Sequence, residues 1–284
     1  MTDRILALVD GSAYSQSVCH HTAWIAARLN ASVDVMHVLG RREIGTTQNL
    51  SGALTLGARS ALLEELATAD ESRARLAQIK GRAILEDAQA ILETDGVGQV
   101  TPHLRKGDIL EAVQEAEPDL RAIVIGKRGE GAEFALAHLG SNLERIVRAS
   151  KVPVFVASRA FAPIASVLVA FDGSASAVRA VERMAKSPVF HGLQVTLLYV
   201  GTATPALRGR LDDAVLTLAA TGLQVDTRIQ AGEPEEVLQS VVAAEGYGLL
   251  VMGAYGHSRI RHLIIGSTTT AMVQAVRIPV LMYR

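Results

Sequence analysis

Two patterns of hydrophobic and polar positions follow one another along this chain. Short, largely apolar runs lie at residues 4–9, 31–39, 97–105, 121–125 and 152–156. Between them, apolar residues recur at the three- and four-residue intervals of an amphipathic helix. Such alternation predicts parallel strands that are covered by helices on both faces. We therefore expect the first half of the chain to form an α/β sandwich.

The same order of features begins again at residue 166, so the chain is an internal repeat. Six pairs of short motifs occur in the same order in both halves. The pairs are Asp10-Gly-Ser with Asp172-Gly-Ser, His37-Val38 with Tyr199-Val200, Lys106-Gly-Asp with Ala231-Gly-Glu, Gly126-x-x-Gly129 with Gly253-x-x-Gly256, Gly140-Ser141 with Gly266-Ser267, and Val152-Pro-Val with Ile278-Pro-Val. Six ordered matches predict two domains of the same architecture.

The repeat also predicts where one domain ends and the next begins. We expect domain one at residues 1–158, a short proline-containing linker at 159–165, and domain two at 166–284. The halves differ most between their second and third strands. Residues 40–57 of the first half predict a flexible loop or lid, and residues 60–94 a long helix. The second half has only residues 201–222 there.

Composition narrows the function classes. The 284 residues are 49% hydrophobic and carry a formal net charge of −1, so nothing global indicates nucleic acid or an anionic membrane as a partner. The single cysteine, Cys19, excludes an intramolecular disulfide framework. The first apolar run is too short for a signal peptide or a membrane span, which favours a cytoplasmic location.

The chemistry concentrates after the apolar run at residues 248–252. Gly253 and Gly256 permit a sharp turn and let backbone N–H groups approach an anion without an obstructing Cβ. Nine residues after Gly256, Gly266 and Ser267 open a helical pattern, whose free N–H groups favour a phosphate. We interpret this stretch as a phosphate cradle.

The spacing G-x-x-G-x9-G-S, together with the repeat over nearly the whole chain, resembles the universal stress protein family in its tandem two-domain form. That resemblance implies two Rossmann-like domains of the adenine nucleotide alpha hydrolase type. Each would be a five-stranded parallel sheet of order 3-2-1-4-5 with helices on both faces. It further implies ATP, or ADP or AMP, at the carboxyl ends of the strands, with Mg²⁺ as the accompanying ion. The family's fifth strand commonly forms a dimer edge, so residues 152–156 are expected to face residues 279–283 in an internal pseudo-dimer.

Carried over by position, the resemblance implies the following nucleotide-binding residues. Those around adenine and ribose would be Ala170, Phe171, Asp172 and Val200, and those around ribose and phosphates Met252, Gly253, Tyr255, Gly256, Gly266, Ser267, Thr268 and Thr269. Their counterparts in the first half are Asp10, Val38, Gly126, Gly129, Gly140 and Ser141.

The first half departs from the family spacing. Ten residues separate Gly129 from Gly140, and Leu143 stands where the second half has Thr269. Lys127 and Arg128 offer an alternative way to hold an anion there, so an altered site and a vestigial site both stay open. We expect the second half to bind ATP more tightly than the first.

Conventional hydrolytic motifs are missing from the sequence. It contains no G-K-[ST] ending, no G-x-S-x-G elbow, no H-E-x-x-H and no close Cys/His cluster, and we assign no catalytic or metal-ligand residue. The leading hypothesis is an ATP-binding regulatory or stress-response protein whose nucleotide changes a surface read by a protein partner. One alternative is a weak Mg²⁺-dependent ATPase with water held near residues 267–269. The other is an interaction protein that binds a non-nucleotide ligand. Further dimerisation of the chain stays open.

Overall fold

The computed structural model describes residues 3–40, 56–127, 141–253 and 267–284. The predicted alternation of strands and helices is present in both halves. The elements of the first half are β1 (Arg4–Leu8), α1 (Ser15–Leu29), β2 (Ser32–Leu39), α2 (Leu56–Thr94), β3 (Val100–Lys106), α3 (Ile109–Ala116), β4 (Leu120–Gly126), α4 (Ser141–Ala149) and β5 (Val154–Ala157). Those of the second half are β6 (Ser166–Ala170), α5 (Ala175–Ala185), β7 (Gln194–Val200), α6 (Pro205–Ala219), β8 (Gln224–Gln230), α7 (Pro234–Glu245), β9 (Leu249–Gly253), α8 (Ser267–Ala275) and β10 (Val280–Tyr283).

The ten strands form one continuous sheet in the order β3-β2-β1-β4-β5-β10-β9-β6-β7-β8. Within each half the order is 3-2-1-4-5 and neighbouring strands are parallel, which confirms the predicted fold. The halves join where β5 pairs with β10 antiparallel, Val156 opposite Val280 and Val154 opposite Met282. The expected pairing of the two fifth strands is therefore present. It also gives each of these strands a neighbour on both sides.

Helices cover both faces of the sheet across both halves. Alternate residues of each strand point to opposite faces, so Ile5 and Ala7 pack with α1 and α2, whereas Leu6 and Leu8 pack with α3 and α4. In the second half, α5 and α6 continue the first layer, and α7 and α8 continue the second. Burial on both faces explains why the strands are largely apolar.

Three element boundaries differ from the sequence-based expectation by more than one residue. β3 begins at Val100, because Gly96 turns the chain with a positive φ of 90° and Val97 packs into the core before the ladder starts. β5 begins at Val154, after Pro153, whose carbonyl accepts the Ile123 N–H at 3.0 Å. The helix α2 begins at Leu56, within the stretch predicted as a loop or lid, and residues 41–55 of that stretch lie outside the described residues.

Candidate functional site

Three neighbouring strands of the second half end at one edge of the sheet. β6 lies between β7 and β9, so the chain leaves β6 toward one neighbour and later returns on the other side. Such a reversal of strand order leaves a crevice outside the carboxyl ends of the strands. The predicted positions Asp172, Val200 and Gly253 lie at or directly after these three ends. Adjacent strands are about 4.8 Å apart, so these positions are close in space despite their separation in sequence.

The turn after β6 holds a half-buried carboxylate in a fixed orientation. Asp172 Oδ1 accepts the backbone N–H of Ser174 at 2.9 Å, a local turn that asparagine and aspartate favour. Ser174 then caps α5, because its Oγ accepts the Ala177 N–H at 3.2 Å. The Ser174 and Ser176 hydroxyls are 2.9 Å apart. One carboxylate and two hydroxyls therefore line the beginning of α5.

Gly253 lies directly against this turn. A Cβ built on Gly253 would be 2.8 Å from Ser176 Cβ and Oγ and 2.9 Å from the Ser176 carbonyl carbon. Since the obstacle includes backbone, no side chain can be accommodated without moving α5 or β9. The end of β9 and the first turn of α5 are thus packed backbone to backbone, as a site for close ligand approach requires.

Arg210 belongs to the same neighbourhood, and the sequence analysis missed it. Its Nη1 donates to the Gly173 carbonyl at 2.7 Å, next to Asp172. Leu207, one turn earlier on α6, packs over Gly173 so closely that a Cβ there would be 2.6 Å from Leu207 Cδ1. The approach of α6 to this turn depends on tertiary packing, so motif spacing carried no signal for Arg210.

The remaining predicted residues of the second half fall into three groups. Ala170 is half-buried at the end of β6, while the side chains of Phe171 and Met252 are 2% and 5% exposed and pack into the two core layers. Only the backbone of these two can face a ligand. Ser267, Thr268 and Thr269 form the first turn of α8, where backbone N–H groups have no helical partner. Tyr255, Gly256 and Gly266 lie outside the described residues.

In the first half, the corresponding turn at Asp10 is held by hydrogen bonds among its own residues. Ser12 N–H donates to Asp10 Oδ1 at 3.0 Å, as in the second half. In addition, the Ser15 hydroxyl accepts the N–H groups of Asp10 at 3.2 Å and Gly11 at 3.0 Å and donates to Asp10 Oδ1 at 3.3 Å. The residue at the Ser15 position in the second half is Ala177, which has no hydroxyl. The polar groups of the first turn are therefore engaged with each other.

The other first-half candidates have similar backbone positions but different surroundings. Val38 and Gly126 lie at the ends of β2 and β4, and Ser141 begins α4. Lys127, considered above as an anion-binding group, donates instead to the Val276 carbonyl at the end of α8. Leu143 is 2% exposed and packs in the core. Gly129, Gly140 and Arg128 lie outside the described residues.

An ion pair ties α4 to α3 in the first half. Arg145 Nη2 contacts both carboxylate oxygens of Asp108, at 2.9 and 2.8 Å, and Asp108 also caps α3 through the N–H of Leu110 at 2.9 Å. Burial raises the pKa of Asp108, but the hydrogen bonds from Arg145 and the backbone outweigh it, so the pKa is lowered overall. The corresponding residues in the second half are Glu233, which makes no side-chain capping bond, and Ala271.

Other chemistry has little support in the part of the chain that the structure describes. There, no group of three or more His, Cys, Asp or Glu side chains is arranged to hold a metal ion. Cys19 is buried, and burial, followed by the negative charge of Asp95, raises the pKa of its thiol to about 12, so it is a poor nucleophile. No helix in the described ranges has both the length and the apolar character needed to cross a membrane.

Comparison with known proteins gives concordant results. The profile described as "Universal stress protein family" matches residues 1–158 and 164–284. The chain is 34% identical over 284 residues to a universal stress protein of Synechocystis sp., Slr1230, with 99% of each chain covered. It is 28% identical over 134 residues to one from Thermus aquaticus, covering 42% of this chain and 98% of that one. A crystal structure of a universal stress protein from Archaeoglobus fulgidus superposes with a TM-score of 0.72 at 19% identity, covering 99% of this chain and 96% of that one.

Proposed function

This chain belongs to the universal stress protein family, and from that premise we propose that its second half binds an adenine nucleotide, ATP in the first instance. The observation that carries the proposal is the Asp172 turn. It lies at the reversal of strand order, it is packed against the side-chain-free Gly253, and its carboxylate is oriented by the Ser174 N–H. The first half differs, because Ser15 makes three hydrogen bonds to Asp10 and Gly11 within the corresponding turn.

The residues present fit a nucleotide. A carboxylate fixed at the end of β6 is suited to accept hydrogen bonds from ribose hydroxyls, and the backbone of Val200 on the next strand borders the adenine side. The first turn of α8 supplies N–H groups and the positive end of a helix dipole toward the phosphates. Tyr255, Gly256 and Gly266 complete the proposed cradle. Arg210, beside Gly173, adds a cation for the ribose or phosphates.

Mg²⁺ fits as a companion of the phosphates and needs no dedicated protein cage. It usually keeps several waters and binds through one or two carboxylates plus phosphate oxygens. Asp172 is the carboxylate of the site that can serve, either directly or through water. When bound, Mg²⁺ would neutralise phosphate charge. The residues of the chain orient the nucleotide.

The proposed domains are residues 1–158 and 166–284, joined by the linker 159–165. Nucleotide binding in the second domain can affect the junction with the first. α8 carries the proposed phosphate contacts at its first turn, and its last turn accepts a hydrogen bond from Lys127 of the first half at Val276. A shift of α8 on binding would therefore reach the junction between the halves. We take the role to be regulatory, with a protein partner reading this junction.

The test is calorimetric titration of ATP into protein stripped of ligand, together with mass spectrometry of any ligand retained through purification. The proposal expects saturable binding of one nucleotide per chain and an adenine nucleotide among the retained ligands. Following ADP release in the same samples separates binding from hydrolysis, since a binding protein turns over ATP no faster than buffer. Failure to bind ATP or ADP at millimolar concentration would refute the proposal.

A further inference from the structure

A groove of about 620 Å³ runs along α1. Its walls come from α1, from the end of α2 and from the linker between the halves. The side chains that matter below are Trp24, Phe161, His20, Asp95 and Arg159. Sites for small organic ligands typically occupy roughly 300–1,000 Å³, so this groove has the right size for one small molecule.

Two aromatic rings form the apolar part of the groove. Trp24 is half-buried, and the Arg28 guanidinium lies 4.7 Å from its ring centroid. Phe161, from the linker, is also half-buried, with its ring centroid 5.0 Å from that of His21 in an edge-on contact. Flat apolar surfaces of this kind favour a planar ring, because ring pairs gain energy beyond their buried area.

The polar part of the groove is an oriented imidazole. His20 Nδ1 lies 2.5 Å from Asp95 Oδ2, and because a carboxylate only accepts, Nδ1 carries the proton. Within the described ranges Nε2 of His20 makes no hydrogen bond, and in the neutral ring it is then the acceptor nitrogen. Asp95 fixes the orientation of the ring. An imidazole held in this way resembles those that enzymes and binding proteins use to contact a ligand.

The charge around the groove favours an anion. Arg159 lines it and is exposed, and Arg28 lies beside Trp24 while donating to the carbonyls of Val189 at 3.0 Å and His191 at 2.9 Å. Against these two guanidinium groups stands one carboxylate, Asp95, which is already engaged with His20. An incoming anion would find a net positive surrounding, with Arg159 as its direct partner.

The side chains of the groove are not repeated in the second half, so the shared fold does not require them. Matching Asp10 with Asp172 aligns Ser17, His20 and Trp24 of α1 with Arg179, Glu182 and Lys186 of α5. Long charged side chains replace the aromatic and imidazole groups there. The first-half side chains thus form a surface that the shared fold alone does not explain.

We propose that this groove binds a planar aromatic carboxylate. The ring lies against Trp24 and Phe161, and the carboxylate contacts Arg159, while His20 Nε2 can accept a hydrogen bond from a donor on the ligand ring. Because Phe161 and Arg159 belong to the linker and His20 and Trp24 to α1, such a ligand holds the linker against the first half. The site is independent of the nucleotide site proposed above.

Trp24 is the single tryptophan of the chain, so its emission reports on the groove without a label. The probe is 4-nitrobenzoate, whose ring quenches tryptophan, with 4-nitrobenzyl alcohol and cyclohexanecarboxylate as controls that lack the charge and the flat ring respectively. Free N-acetyltryptophanamide corrects for collisional quenching. We expect saturable quenching by 4-nitrobenzoate, binding by each control at least about tenfold weaker, and no competition from ATP.

Substitutions in and outside the groove test whether 4-nitrobenzoate binds there. Arg159→Gln should weaken 4-nitrobenzoate binding about tenfold or more, measured by calorimetry as well as by emission. Arg179→Gln, at an exposed position on the corresponding helix α5, should leave it unchanged, and melting curves of both variants check folding. Quenching that is linear and equal to that of the free amide overturns the proposal. So does binding that is unaffected by Arg159→Gln, or binding that ATP displaces competitively.

Discussion

The two halves share a strand order and differ in what their first turns do with polar groups. After β1, Ser15 satisfies the N–H groups of Asp10 and Gly11 and ties the Asp10 carboxylate. After β6 the same position is Ala177, and the Asp172 carboxylate accepts from the Ser174 N–H in a turn without such a hydroxyl. One side chain therefore distinguishes the two turns: Ser15 makes three hydrogen bonds within the first turn, whereas Ala177 has no hydroxyl to make them.

The helices that follow the glycine loops differ in the same direction. α4 is pinned to α3 by Arg145 and Asp108, and Leu143 of its first turn is a core residue. α8 begins with Ser267, Thr268 and Thr269, and alanine occupies the position of Arg145. In the first half, Leu143 packs in the core and Arg145 forms an ion pair. The residues at these positions in the second half are Thr269 and Ala271.

Side-chain hydrogen bonds join the two halves in addition to the continuous sheet. Lys127 of the first half donates to the Val276 carbonyl at the end of α8, and Arg284 at the end of β10 donates to the Arg148 carbonyl at the end of α4 at 2.8 Å. Each half therefore supplies a cation to a helix C-terminus of the other, which such cations stabilise.

The largest expected effect comes from the glycines of the two loops. Gly266→Val should weaken ATP binding on the order of a thousandfold, because a side chain in the proposed phosphate space removes about two charge-assisted hydrogen bonds. Gly129→Val is the matched first-half variant and should change ATP affinity little. Titration calorimetry of both variants measures the difference. Loss of tight binding in Gly129→Val with retention in Gly266→Val would reverse the roles of the halves.

The second expected effect is a pH dependence of stability that arises from the first half. His21 of α1 is fully buried, and burial, the largest cause, lowers its pKa from 6.5 to about 4. Between these values the unfolded chain binds more protons than the folded chain, so stability is lost as the pH falls from about 6.5 to about 4. The free energy lost is on the order of 3 kcal/mol. The counterpart in the second half is Arg183, which does not titrate in this range.

Urea unfolding followed by Trp24 emission at several pH values measures this loss in the first half. The control is His21→Gln, which should flatten the dependence between pH 6.5 and 4 while leaving the contribution of the carboxylates. An unchanged slope in His21→Gln would show that another group is responsible.

The two aspartates after the first strands sharpen the comparison further. Asp172→Asn should weaken ATP binding by about thirtyfold, or about 2 kcal/mol, because a charged acceptor for the ribose is lost. Asp10→Asn should alter affinity less than about twofold, since that carboxylate is engaged with Ser12 and Ser15. Calorimetric dissociation constants decide this. Equal losses of ATP affinity in the two variants would mean that the Ser15 contacts do not keep the Asp10 carboxylate from binding a nucleotide.

The smallest expected effect concerns the ion pair of the first half. Asp108→Asn should reduce the free energy of unfolding by about 1 kcal/mol at neutral pH, a figure discounted because both partners are partly exposed. Because the pKa of Asp108 is lowered below 3.8, the stability that its charge contributes is present above that value. It is lost as the pH falls through the lowered pKa. Glu233→Gln, its second-half counterpart, should have no measurable effect in the same denaturation experiment.

The sequence predicted the fold because its strands, turns and internal repeat depend on local signals. Apolar runs, glycine turns and six repeated motifs identified the strands, and the resemblance supplied their order. The contacts that distinguish the halves depend on side chains brought together by packing. Arg210 reaches Gly173 across 37 residues, and Lys127 reaches Val276 across 149. No spacing rule connects such pairs. The engagement of Ser15 with Asp10 is local, but an Asp-Gly-Ser motif looks the same whether its turn is closed or open.

Hydrogen exchange followed by mass spectrometry, with and without ATP, tests the central claim most directly because it locates binding along the chain. The account predicts that ATP slows exchange in peptides containing residues 172–178 and 253–275 of the second half. The corresponding peptides at residues 10–16 and 126–149 should exchange as in the free protein. Protection confined to the first-half peptides, or equal protection in both sets, would contradict the assignment of the nucleotide site to the second half.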